Sequence, residues 1–551
     1  MIRKLLILFL AAVCAQGAFE AVVLSSGPIG REIILEIAEK TNQSELTDTI
    51  ESIYIDEGYL FVKVLLKEDS LKGKCFIDVI PGPLAVVKSY NIEGFIGEMP
   101  RLNIQEGKSF RRTDLNKDMD GLVSSLENNG YPFGETRIES LTISQPVGQE
   151  VDVRIKLVVS PGDSVNISAV IVPKGAKTKA RFIEKKMLLR PSILYKQKHI
   201  DAGIKRLDDL EYLNISGAPE ILLDETGEWA LKLKFTEGRT VLINGILGYA
   251  PRSDKKGVSG QIDALFDNIW GTGRSLALNW NQSIDEYLKF KAKYVEPCIF
   301  GGFGDLSISA EYYERGSSYI ERNFSFEYKH PINYFMSWSA GATFRSILPG
   351  TSGSGNIPKS SESRLTFGGY VEKLYPRVNP SKGWDLSLKT SPSYIERSVL
   401  ELTSFSLDEY EALARIEGRF VGAQKIGRSL VFFEDIEGRT IFSKGGLALS
   451  DLYYLGGWGN LRGYREDQFS ADNLGWSNSE LRFLIGGEAH GFAFLDCGLI
   501  RPSGGDYEFK TGYGIGLRIS TAIGRWTVAY GIAGGESLTS GLIHVGLVAE
   551  L

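Results

Sequence analysis

Histidine and cysteine are scarce, four of each among 551 residues, and methionine numbers only five. His199, His330, His490 and His544 stand far apart, and no HExxH, GxSxG, P-loop or CxxC spacing occurs. The chain therefore offers no enzyme motif and no metal or cofactor site, and a non-enzymatic role is expected. Long apolar runs are missing too. The longest, Leu5 to Ala15, falls short of the roughly 20 residues that a membrane-spanning helix needs, which excludes a helical membrane protein.

That one run follows Arg3 and Lys4 and precedes the small residues Ala15, Gly17 and Ala18, the order of a secretory signal peptide cleaved near Ala18. A lipid anchor on Cys14 is the alternative, disfavoured because Val13 stands where an acylation site wants a small residue. Loss of the two basic residues moves the net charge from −6 to −8, which argues against nucleic-acid binding. Cys75, Cys298 and Cys497, each more than 190 residues from the next, form no disulfide framework and read as packing residues.

What is abundant is glycine, with 62 residues, and its distribution divides the chain. After Glu237 lie 44 of the 62 glycines and 44 of the 60 aromatics. Interior glycine costs a helix about 1 kcal/mol per site, so this second part is expected to be built from strands and turns.

Before Glu237 a pattern recurs. Strand Glu20 to Leu24 leads to a helical face of Leu46, Ile50, Ile53 and Tyr54, then Gly58-Tyr59, strands Leu60 to Lys67 and Lys74 to Ile80, and Pro81-Gly82. The second copy has strand Val87 to Glu93, a face of Leu115, Met119, Leu122 and Leu126, then Gly130-Tyr131, strands Glu135 to Leu141 and Val151 to Val159, and Pro161-Gly162. A third runs from Val165 to Val172 through helices Arg181 to Leu188 and Lys198 to Leu210 to the strand Trp229 to Thr236. Three units, each strand, helix, helix, strand, strand, make an array. Their order and their Gly-Tyr and Pro-Gly punctuation resemble POTRA domains, which implies partner binding at sheet edges, where unpaired N–H and C=O groups accept an extended chain.

From Arg239 onward short alternating segments follow one another, among them Thr240 to Tyr249, Ser259 to Phe266, Ser275 to Trp280, Tyr287 to Val295 and Leu306 to Tyr312. At about 9 to 11 residues per tilted spanning strand plus a connection, this part accommodates about 16 antiparallel strands. In the last segment Ile543, Val545, Leu547, Ala549 and Leu551 make one apolar face, and no helical pattern is present to cover it. A soluble sandwich would need a second sheet there. The expected fold is thus α+β repeats at 19–83, 84–163 and 164–237, after a signal peptide at 1–18, then an all-β transmembrane barrel at 238–551. Gly271-Thr272-Gly273 and Pro331-Ile332-Asn333 are expected as short turns.

The densest motif is Leu455-Gly456-Gly457-Trp458-Gly459-Asn460-Leu461-Arg462-Gly463-Tyr464. It resembles the sixth-loop Arg-Gly-Tyr signature of the outer-membrane assembly superfamily that includes BamA, TamA and the two-partner-secretion translocators, whose loop folds back into the barrel lumen. The resemblance maps the family arginine onto Arg462 and its carboxylate partner onto Asp496 in Phe494-Leu495-Asp496-Cys497-Gly498; Glu480 is a second candidate. Physically, a planar guanidinium paired with a carboxylate can lock a loop that glycines allow to bend. The three-repeat layout is nearer to TamA than to the five-repeat BamA. Leu551 departs from the aromatic residue that usually ends the family's final strand, and no plug-helix pattern follows Ala18.

The resemblance implies an insertase or translocase of the outer membrane with its repeats in the periplasm. Its partners would be unfolded outer-membrane or secreted protein clients, outer-membrane lipid, and a periplasmic or inner-membrane accessory protein. The barrel seam, with Gly245 and Gly248 on the first strand and Gly541 and Gly546 at the last, would be weakly packed and open to a client strand. A dedicated two-partner-type secretion pore for one exoprotein is the alternative. A solute porin gives no reason for three repeats.

Overall fold

The computed structural model describes residues 20–548 apart from 42, 70–73, 147, 252–255, 284–286, 352–356, 378, 399–408, 487–488, 503–504 and 522–523. The expected signal peptide and Leu551 lie outside the described residues, and Ala549 with them. The chain divides into two compact units, residues 1–167 with 192–200, and residues 168–191 with 201–551.

The first unit holds two modules built alike. In each, a central strand with period-2 burial pairs in parallel with the module's first strand and antiparallel with the other: Lys74–Ile80 between Glu20–Ser25 and Lys63–Asp69, then Glu150–Ser160 between Leu84–Glu93 and Glu135–Ile143. Helices Arg31–Lys40 and Gln43–Asp56 lay Ile34, Leu46, Ile50 and Tyr54 on the first sheet, and Arg112–Asn128 lays Leu115, Leu122 and Leu126 on the second.

The repeated punctuation has a geometric cause. Gly58 and Gly130 end their helices at φ +101° and +100°, a left-handed backbone that glycine adopts at little cost. Their carbonyls accept the Ala85 and Val165 N–H groups at the start of the following repeat, at 2.9 and 2.8 Å. Gly82 and Gly162 are equivalent in the same way. A Cβ there would sit 3.0 Å from the Phe61 carbonyl oxygen and 3.1 Å from that of Phe133.

The second module departs from the expected two helices. Residues 94–111 form an irregular segment instead, with Gly94, Gly97 and Gly107 at positive φ and Pro100 among them, all poor helix residues. Asp118, buried on the helix face, takes the place of packing by a second helix. It accepts the N–H groups of Asn103 and Ile104 at 2.6 and 3.0 Å and so holds the segment down.

The third repeat does not form a compact unit of its own. Its short pair Asn166–Ile167 with Ile193–Leu194 belongs to the first unit. The sheet of Glu220–Leu223, Trp229–Lys232 and Ala169–Ile171, with helices Ala180–Lys186 and all but the first turn of Gln197–Asp208, belongs with the barrel. The expected strand Trp229 to Thr236 is two short strands, Trp229–Lys232 and Phe235–Glu237. The Gly271-Thr272-Gly273 turn explains the association. Cβ atoms at Gly271 and Gly273 would lie 1.8 Å from the Lys177 carbonyl oxygen and 2.0 Å from the Phe182 ring, so only glycine admits the third repeat this closely. Gly271 also accepts the Lys179 N–H at 2.8 Å, and Asn268 donates to Thr178 Oγ1 at 2.8 Å.

Beyond Glu237, among the described residues, one sheet of sixteen antiparallel strands runs in sequence order from Val241–Pro251 to Leu542–Val548. Along the thirteenth, Ala489–Arg501, every second residue from His490 to Ile500 is buried. The other face of the sheet exposes Leu388, Phe483, Leu495, Ile515, Ile543 and Val545 to the surroundings. A continuous apolar outer band with charged residues inside suits a sheet whose exterior is lipid. Among the described residues no helix is long and apolar enough to cross a membrane.

Candidate functional site: the loop inside the barrel

Between the eleventh strand, Leu430–Phe442, and the twelfth, Asn473–Gly486, residues 443–472 turn back against the inner face of the sheet. A hairpin of Tyr453–Leu455 with Phe469–Ala471 carries the tip. Gly456, Gly457 and Gly463 adopt φ of +121°, +103° and +93°, and the Gly456 N–H donates to Asn460 Oδ1 at 2.8 Å. Leu455 and Leu461 are fully buried over Gly498, where a Cβ would come within 3.0 and 3.2 Å of them.

The register of the twelfth and thirteenth strands prepares the surface that receives Arg462. Asn478 lies opposite Asp496 and Glu480 opposite Phe494, so four inward side chains form one pad. Onto it Arg462, 4% exposed, donates from Nε and Nη2 to the two Asp496 oxygens at 2.8 and 2.6 Å, and from Nη1 to Glu480 Oε1 at 2.7 Å. Its backbone N–H adds a third bond to Asp496 at 3.0 Å, and its guanidinium lies 3.7 Å from the Phe494 ring centroid. Asn478 donates to the Asn460 carbonyl at 2.7 Å. Arg482 closes the set, binding Glu480 at 2.8 and 2.7 Å over the Phe433 ring. Buried charges tolerate desolvation only when paired and hydrogen-bonded, and here both Glu480 oxygens and both Asp496 oxygens have donors. Both carboxylates named from the sequence thus meet Arg462.

The remaining contacts reach strands that sequence reasoning did not connect with the motif. Tyr464 donates to the Thr511 carbonyl at 3.1 Å. Gly512 and Gly531 clear space for the loop backbone, since Cβ atoms there would lie 1.9 Å from the Arg462 carbonyl oxygen and 2.8 Å from the Gly463 nitrogen. Most informative is His544 on the last strand, whose Nε2 accepts the Gly463 N–H at 3.0 Å and whose ring sits 6.5 Å from that of Trp458. Its inward place follows from the alternation with Ile543 and Val545; its partner does not.

Of the proposed seam residues, Gly245 and Gly248 lie on the first strand and pair with Ile262 and Ser259 of the second. Gly546 lies on the last strand opposite Thr527, and Gly541 immediately precedes that strand. Gly541 is tightly packed: a Cβ would stand 2.5 Å from Tyr530 Cζ, and its N–H donates to the Tyr530 hydroxyl at 3.1 Å. Among the described residues the first and last strands each pair with one neighbour and not with each other.

At the third repeat a cavity of about 800 Å³ lies among Lys205, Arg206, Asp209, Glu372 and Arg377. Among the described residues no three His, Cys, Asp or Glu side chains are placed to share a metal ion.

Residues 268–537 match the family described as the Omp85 superfamily domain. CdiB from Escherichia coli is similar in fold, with a TM-score of 0.52 at 14% identity over 93% of this chain and 96% of its own. BamA from Haemophilus ducreyi lacking POTRA domains 1-3 aligns at 17% identity over 83% of this chain and 98% of its own, with a TM-score of 0.46. CdiB from Acinetobacter baumannii aligns at 13% identity over 96% and 89%, also at 0.46. No curated protein matches the chain.

Proposed function

We propose that this chain, an outer-membrane β-barrel preceded by α/β modules whose residues 268–537 match the Omp85 superfamily domain, inserts client proteins into the outer membrane. The modules, placed in the periplasm, would gather unfolded outer-membrane or surface proteins on sheet edges, and the end strands would part to template a client strand. No bond-making chemistry is required. The observation that carries the reading is the loop tip, which is bound at once to the twelfth and thirteenth strands through Arg462 and to the last strand through His544. A loop so placed can report on the strand that must move. It also occupies the lumen, which counts against a solute porin.

The dedicated secretion pore is the second reading, since a loop held by a few buried contacts could swing aside for one exoprotein. Depletion followed by outer-membrane proteomics separates the two. Broad loss of barrel proteins is expected for the insertase. Loss of a single secreted protein would transfer the conclusion to the pore, and an unchanged proteome would remove both. Complementation by Arg462→Ala at full wild-type level would mean that the latch is dispensable.

A further inference from the structure

Besides the Arg462 pad, a second cluster of buried charges holds the loop. At the loop's stem Asp451 is buried, in the short turn Leu449–Asp451. One carboxylate oxygen accepts Arg397 Nη2 at 2.9 Å and the Ala448 N–H at 3.0 Å, and the other accepts Arg345 Nη1 at 3.4 Å. Arg345 donates also to the Ser450 carbonyl. The two arginines are fixed in turn by wall carboxylates, Arg345 by Glu321 at 2.9 Å and Arg397 by Glu411 at 2.6 Å. Glu411 itself reaches the start of the loop, taking the Gly445 N–H at 2.9 Å and the Ser443 hydroxyl.

Two features separate this cluster from the Arg462 pad. Its polarity is reversed: here the wall supplies arginines and the loop a carboxylate. Its place differs as well. Glu321, Arg345, Arg397 and Glu411 come from the sixth, seventh, ninth and tenth strands (Tyr319–Pro331, Met336–Pro349, Lys382–Arg397 and Tyr410–Lys425), with Arg397 and Glu411 at strand ends. Glu480 and Asp496 lie midway along the twelfth and thirteenth. The stem is thus held near the barrel rim and the tip at mid-depth.

We propose that Asp451 is a second latch, and that the loop leaves the lumen only when the Asp451 and Arg462 clusters are both released. The proposal deepens the reading of the loop as a gate, and it applies equally to an insertase and to a secretion pore. Two latches in series multiply: freeing either leaves the open population limited by the other. Because the polarity is opposite, a client segment that takes the loop's place on the barrel wall must be basic at one cluster and acidic at the other. A basic stretch would draw on Glu480 and Asp496, an acidic one on Arg345 and Arg397.

The test is single-channel conductance of the purified full chain in planar bilayers, comparing wild type, Asp451→Asn, Arg462→Ala and the double variant. Asn keeps an acceptor for the Ala448 N–H while removing the charge. The expected result is a double variant conducting on the order of tenfold or more above either single one. If Arg462→Ala alone reaches the double variant's conductance, the stem cluster holds nothing and the proposal falls. It falls equally if the double variant, folded by heat-modifiable migration, conducts like wild type. Should Asp451→Asn fail to fold, Glu411→Gln in the same cluster replaces it, and the same two conductance results would overturn the proposal. Because conductance is read without clients, failure here leaves the insertion reading to its own proteomic test.

Discussion

Two strands with the same period bury different chemistries, one only aliphatic side chains and the other a histidine and a carboxylate beside apolar ones. Glu150–Ser160 in the second module hides Val153, Ile155 and Leu157 and leaves Arg154 at the surface, whereas Ala489–Arg501 in the barrel hides Asp496 and exposes Leu495 and Leu499. Alternation therefore fixes only that a sheet has two unlike faces. The medium decides which face is inside: water around the module drives apolar side chains inward, and lipid around the barrel leaves polar ones nowhere else to go.

The greatest loss is expected on removing a charge from the barrel interior. Asp496→Ala strips three donors of Arg462 of their acceptor, and the loss of one partner from a buried pair costs about 3 to 5 kcal/mol. With the stem still held, the tip is expected to loosen inside the lumen, read as faster amide hydrogen exchange at Arg462 and Gly463 in the intact barrel; protection equal to wild type would contradict the latch. In the module the equivalent injury is apolar. Leu157→Ala, at a fully buried site, is expected to cost about 2 to 5 kcal/mol and to lower the urea midpoint of the first unfolding transition, leaving barrel migration on unheated gels unchanged.

On the outer face the rule inverts. Leu495→Arg, a change that a soluble sheet would accept at a surface position, is expected to cost about 2 to 4 kcal/mol near the membrane midplane, measured as lowered barrel stability in lipid vesicles. A neutral outcome would place this face in water. The smallest effect is electrostatic and belongs to the third repeat. Lys234 and Lys232 hydrogen-bond Glu220 and bring its carboxyl down to about 2 from the ordinary 4.5. A depressed carboxyl contributes stability that is present above the ordinary value and lost as pH falls toward 2. Exposure and salt screen it, so Glu220→Gln should only slightly flatten the acid limb of the thermal unfolding profile, and less so at high salt.

Much of the fold could be read locally. The helix face of Leu46, Ile50 and Tyr54 and the central strands at Lys74 and Val151 follow from short-range periodicity, while the figure of about sixteen barrel strands comes from length per strand and agrees with the sixteen-stranded sheet among the described residues. The Arg462 motif was recognisable through its resemblance to the sixth-loop Arg-Gly-Tyr signature, within a run of ten residues dense in glycine. The missing helix at 94–111 was not, because its substitute depends on Asp118 reaching back 14 and 15 residues to backbone N–H groups. His544 and Asp451 were invisible for a related reason. Gly463 lies 81 residues from His544, and Asp451 lies 54 residues from Arg397 and 106 from Arg345.

The two-part division, the repeat punctuation and the alternation of the barrel strands are specified by the amino-acid order, through composition and through spacings shorter than one element, whereas the pairing of Arg462 with Asp496, 34 residues on, was legible only through the resemblance. Three further features arise only on folding: the packing of the third repeat against the Gly271-Thr272-Gly273 turn, the second anchor of the loop at Asp451, and the contact of its tip with the last strand. Those contacts exist because curling the sheet brings inward faces of distant strands to the same loop, and a period of two carries no record of where along the chain the opposing residue stands.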